Sequence, residues 1–195
     1  MIKKDLRFAV IGACHVDRKA RADAPFVAAA SNPVTLQSCF GGVARNVAEN
    51  LLRLGAGVQL VTRLGGDVEG DALLAHLGGL GFDLAGVTRS AQAPTAFHLI
   101  ALQPDGEMLV AVADMRVYDE ITPELLCGLP EGLWAVQGLL ADCNLPEETL
   151  VHLASLRRPG RHFAALGVSP AKVTRLQRLL SSCDLLCVNR GEAAA

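Results

Sequence analysis

The fifteen residues Gly41 to Gly55, GGVARNVAENLLRLG, constrain this chain more than any other stretch, because they state a strand end, a turn and a helix in one phrase. Two consecutive glycines permit positive φ and close approach of a ligand to the backbone. Val43, Val47, Leu51 and Leu54 then recur at helical intervals with Ala44 and Ala48 beside them, which predicts one buried face. Arg45, Asn46, Glu49, Asn50 and Arg53 fall largely outside that face, Glu49 and Arg53 are spaced as an ion pair, and Gly55 stands where a C-cap glycine belongs. Asn46 lies in the first turn, where it can present a donor and an acceptor beside free helix N–H groups. Two readings fit equally: a glycine turn capping an ordinary core helix, or a cradle for a hydroxylated ligand.

The pattern around this phrase is β/α alternation. Phe8 to Ile11 is a continuous apolar run ending at Gly12, as in a first parallel strand, so a ligand site is expected at its carboxyl end. Ala13, Cys14, His15 and Val16 supply no further glycine, which excludes a dinucleotide fingerprint. Residues 18 to 37 lack helical periodicity and contain Pro25 and Pro33, and Val34 to Phe40 alternates as a strand. Strands are predicted at Val58 to Leu64 and near Val87, a hairpin from Thr95 to Leu102 and Met108 to Ala113, and later strands at Trp134 to Leu140, His162 to Leu166 and Leu185 to Val188. Helices are expected at Val68 to Leu80, with Asp67 as N-cap, around Glu124 to Leu126, and from Pro146 and Pro170 to Leu156 and Leu180. His76 and Lys172 read as helix-surface residues.

With these residues in place, the spacing Gly41, Gly42, Asn46, Ala48, Leu51, Leu54, Gly55 resembles the first signature of the ribokinase or PfkB-type carbohydrate kinases. GGVARNVAENL and the preceding Ser31, Asn32 and Pro33 look most like the pseudouridine kinase branch. The resemblance implies a ribokinase-like three-layer α/β/α sandwich, one domain over residues 1–195, with a small β-sheet lid from segments 16–40 and 95–114. Val34, Leu36 and Phe40 would then lie on a lid or dimer surface. It also implies ATP-dependent phosphorylation of a sugar or nucleoside hydroxyl, with pseudouridine foremost and ribose, fructose or adenosine as alternatives.

By the same resemblance Asp17 holds sugar hydroxyls, a task suited to a carboxylate that accepts two charge-assisted hydrogen bonds; by itself it reads first as a solvated turn residue. Gly41, Gly42 and Asn46 join it, and Asp142, directly after a strand, is either an acidic sugar contact or a capping residue. Thr95 and Asp114 are second contacts at the hairpin; Ser31 and Asn32 read a base or form a plain turn. Asn189 and Glu192 match the motif that organises Mg2+ and its water shell beside ATP. No catalytic residue is expected here: the chain ends three residues after Glu192, and the family's anion hole and proton-accepting aspartate belong to a later portion. The polypeptide alone is therefore expected to be nearly inactive, with Leu185 to Val188 as an unpaired edge. The competing class is a non-catalytic relative that binds sugar or dimerises through its lid.

A formal charge of −2 gives no general attraction to nucleic acid or anionic membrane, and no apolar run is long enough to span a bilayer. The six cysteines form no CxxC pair and MIKKDLRFAVIG has no cleavage region, so a cytoplasmic protein with buried, reduced thiols is expected.

Overall fold

The computed structural model describes residues 6–195, so the reading of the first five residues lies outside it. The chain runs β1 (Arg7–Ile11), β2 (His15–Ala22), β3 (Val34–Gly41), α1 (Val43–Arg53), β4 (Gly57–Gly65), α2 (Val68–Gly79), β5 (Val87–Ser90), β6 (Phe97–Leu102) and β7 (Met108–Asp114). It continues through α3 (Pro123–Cys127), β8 (Gly138–Asp142), α4 (Glu147–Ser155), β9 (His162–Leu166), α5 (Pro170–Val173), β10 (Leu185–Cys187) and α6 (Arg190–Ala193).

Six strands form a sheet in the order β10-β9-β8-β1-β4-β5, every pair parallel. The apolar run of β1 is explained by its central place. Ala9 and Ile11 enter one core cluster with Leu139, Phe163 and Leu150, while Val10 points to the opposite cluster with Ala48, Leu60 and Leu73. A strand that buries both faces cannot alternate with polar residues. Three layers result. β1 pairs β4 on one side and β8 on the other, so successive crossovers depart in opposite directions and open a crevice beyond the carboxyl ends of β1 and β8.

The other four strands form a second sheet, β3-β2-β6-β7, in which only the β2–β6 pair is parallel. Pairing across the chain builds this small sheet from residues 15–41 and 97–114. Strand alternation sends His15, Asp17, Cys39, His98 and Ala113 to one face and Val34, Leu36, Phe40, Leu99 and Val112 to the other. Val34, Leu36, Val110 and Val112 are exposed.

Several local expectations are corrected. Trp134 belongs to a 3-10 turn over Glu131–Trp134, and the strand begins only at Gly138. The helix from Pro170 tightens into a 3-10 segment at Thr174–Ser182. In α1 the buried residues are Ala44, Arg45 and Ala48, whereas Leu54 is 55% exposed: the helix packs its small residues closely on the sheet and turns a guanidinium inward. Of the six free cysteines only Cys14 and Cys143 are buried, while Cys39, Cys127 and Cys187 are exposed. Among the described residues β10 pairs with β9 alone, and Leu185 and Leu186 are exposed. Among the described residues no helix is long and apolar enough to cross a membrane.

Candidate active site

The crevice floor is held by backbone groups and two buried side chains. Asp142, the last residue of β8, is 0% exposed. Its Oδ2 accepts from the backbone N–H of Ala13 at 2.9 Å and of Ala44 at 3.0 Å, and its Oδ1 accepts from Asn144 N–H at 2.9 Å. One carboxylate thus ties together the loop after β1, the first turn of α1 and the loop after β8. Burial raises its pKa, and the three N–H donors oppose that rise. Tyr118 completes the clamp: its hydroxyl accepts from Cys14 N–H at 2.9 Å and donates to Cys14 C=O at 2.8 Å. The expected sugar contact at Asp142 is therefore corrected. Its oxygens are spent on backbone donors and the side chain does not line the crevice.

Above this floor lies a cleft of about 410 Å3 between the lid and the main sheet. Asp17, Gly42 and Asn46 line it together. Gly41 sits directly beneath Asp17, and a side chain there would collide with the Asp17 carboxylate. Gly42 has φ of 106° and its Cα faces the Ala13 carbonyl, so only glycine fits at the start of α1. The double glycine allows helix start and carboxylate to converge on one space.

Two histidines flank Asp17. His15 Nε2 stands 3.2 Å and His98 Nδ1 3.7 Å from Asp17 Oδ1, yet that oxygen and His15 Nδ1 are both buried with no hydrogen-bond partner. Burial lowers the His15 pKa, and the neighbouring Asp17 carboxylate opposes that fall. The far wall carries Asn144, Ser169 and Lys172. Lys172 Nζ donates to Asn144 Oδ1 at 2.6 Å, and burial lowers its pKa. The surface role read for Lys172 is corrected: its ammonium is drawn over the crevice because α5 starts at the carboxyl end of β9.

Other expected residues lie elsewhere. Asn189 and Glu192 close a capping box on α6: Asn189 Oδ1 accepts from Glu192 N–H at 2.9 Å, and Glu192 Oε2 accepts from Asn189 N–H at 3.0 Å. Glu192 Oε1 takes the Asn189 amide at 2.8 Å. The pair spends its atoms on itself and offers a magnesium ion no direct set of ligands. Among the described residues no three His, Cys, Asp or Glu side chains are grouped to hold a metal. Thr95 is bound to Asp67, and Asp114 is paired with Arg116, so neither reaches the cleft. Asn32 folds its amide onto Val27 and Ala30 in a turn. Sequence reasoning missed His15 and His98. His15 was signalled by standing two residues from Asp17 on one strand; His98 enters only through the long-range pairing of β2 with β6.

Three comparisons bear on this geometry. Residues 5–195 match the model of the pfkB family carbohydrate kinases. A pseudouridine kinase of Escherichia coli is 33% identical over 184 residues, covering 94% of this chain and 58% of that protein. An uncharacterized sugar kinase of the same organism is 34% identical over 141 residues, covering 72% of this chain and 39% of its own length. Among solved structures, a carbohydrate kinase from Agrobacterium tumefaciens superposes with a TM-score of 0.82 at 33% identity, over 96% of this chain and 62% of that one. The chain thus spans 39% to 62% of the length of these relatives.

Proposed function

The chain belongs to the pfkB family of carbohydrate kinases, and from that premise we propose that it holds the acceptor-binding part of an enzyme that moves a phosphoryl group from ATP to a ribose-bearing nucleoside. Pseudouridine, becoming pseudouridine 5′-phosphate, is the foremost acceptor. The observation that carries the reading is the polarity of the cleft. One end offers the acceptor carboxylate of Asp17 beside the amide of Asn46, a pairing suited to sugar hydroxyls. The other end offers Asn144, Ser169 and Lys172, whose donors suit the carbonyl oxygens of a base. A free pentose would engage the first group and leave the second without a partner. The similarity to a pseudouridine kinase supports the same choice.

Phosphoryl transfer rests on positioning and charge stabilisation, and this chain's residues contribute the first: they hold the acceptor sugar and shield it beneath the lid. The test is calorimetric titration of pseudouridine, uridine and ribose. Pseudouridine binding at least about tenfold tighter than ribose is expected, the worth of one or two hydrogen bonds. Equal affinities would favour a simple sugar kinase. A second reading, assembly through the lid, is favoured by its outer face, where Leu36, Ala20, Ala101 and Val110 form an apolar row across four strands.

A further inference from the structure

The buried guanidinium of α1 has no part in the cleft itself, yet it contacts a residue that does. Arg45 is only 8% exposed. Its Nη1 donates to Asn46 Oδ1 at 2.6 Å and to the Phe40 carbonyl at 3.1 Å; its Nη2 reaches Glu49 Oε2 at 2.6 Å and His76 Nε2 at 2.9 Å. His76 in turn packs against the Phe40 ring, with centroids 4.6 Å apart. Glu49 is steadied from its other oxygen by Arg53. The guanidinium is therefore fixed by groups from β3, α1 and α2.

We propose that Arg45 is a positioning residue that locks the Asn46 amide with its oxygen turned away from the ligand, so that Asn46 meets the ligand as a donor only. The logic is chemical. A guanidinium has donors and no acceptor, so the Asn46 atom facing it is the carbonyl oxygen, and the two N–H bonds of Nδ2 are left for the cleft. A hydroxyl lying between Asp17 and Asn46 then donates to the carboxylate and accepts from the amide, and a ligand lacking that oxygen loses both contacts. This inference rests on the reading of the cleft as a sugar site.

The test is a double-mutant cycle on the whole chain, with pseudouridine as titrant. Asn46→Asp keeps an oxygen for Arg45 but removes the donors; it is expected to melt like the parent and bind at least about tenfold more weakly. Arg45→Met is expected to weaken binding about five- to tenfold in the parent and less than about twofold when Asn46→Ala is already in place. Equal losses in both backgrounds, or parent-like binding by Asn46→Asp, would overturn the proposal. A second readout needs no ligand: 15N-edited spectra of the Asn46 side-chain NH2. In the parent these resonances are shifted from a free amide; Arg45→Met returns them to it, and an unmoved signal overturns the proposal. If pseudouridine does not bind the parent, the nucleoside reading fails, and the amide spectra still decide the role of Arg45.

Discussion

Replacing Asp142 by Ala removes the acceptor for three backbone N–H groups that converge from different elements: Ala13, Ala44 and Asn144. None of them has solvent to turn to, because the carboxylate is completely buried. A buried donor left without a partner costs about 1–3 kcal/mol. The space vacated by a carboxylate admits one water, which can satisfy one or two of the three. One or two orphaned donors remain, so the expected loss is about 1–6 kcal/mol, against the ~5–15 kcal/mol that holds a typical domain together. The Asp142→Asn substitution separates charge from acceptor geometry. Its side chain can keep an oxygen over Ala13 and Ala44 but turns its NH2 toward the N–H of Asn144, so it costs less, about 1–3 kcal/mol. Urea unfolding followed by the fluorescence of Trp134 measures both changes as shifts in midpoint at constant slope. An Ala variant within ~1 kcal/mol of the parent would refute the idea that this carboxylate clamps the cleft floor.

Three further outcomes follow from the same geometry. Burial holds the pKa values of His15 and His76 below the ordinary 6.5, so the unfolded chain takes up protons first as pH falls; their contribution is complete above 6.5 and is lost below it, and melting scans from about pH 8 to about pH 5.5 should show a steeper acid loss in the parent than in a His15→Gln, His76→Gln variant. Lys172→Met should cost about tenfold in pseudouridine affinity and less than about twofold in ribose affinity, since the ammonium stands at the far wall of the cleft. If the outer lid face joins two copies, Leu36→Lys with Val110→Lys should shift sedimentation from dimer toward monomer without lowering the melting temperature, because both side chains are exposed in the single chain.

The elements legible in the sequence were those written in local chemistry. β1 declared itself by an apolar run ending at Gly12, α2 by Asp67, which accepts from Gly70 N–H at 2.9 Å, and the β6–β7 hairpin by Pro104, Asp105 and Gly106. Gly42 and Asn46 stand together in the sequence at the start of α1, whereas Asp17 was singled out only by the family resemblance; all three line one cleft. What stayed hidden depends on distant partners. Periodicity placed Arg45 outside the apolar face, yet His76 and Phe40 from other elements enclose it. Asp142 looked like a ligand for the same reason that it is a clamp: a carboxylate at the carboxyl end of a strand meets free N–H groups, and here three of the protein's own backbone groups donate to it. Lys172 could not be told from a surface lysine until β8 and β9 were set side by side, bringing Asn144 within 2.6 Å of its ammonium. Trp134 was drawn into a strand by its β-propensity, while Glu131 to Trp134 form a tight turn that starts at Pro130.

The most direct measurement is calorimetric titration of pseudouridine into the parent chain and into Asp17→Ala. Asp17 lines the cleft, with His15 and His98 flanking its Oδ1 at 3.2 and 3.7 Å. A charge-assisted pair of hydrogen bonds to sugar hydroxyls is worth about 2–4 kcal/mol, so the substitution should weaken binding by at least about thirtyfold with the melting temperature unchanged. Binding that is equally strong in parent and variant would contradict the placement of the ribose beneath the lid.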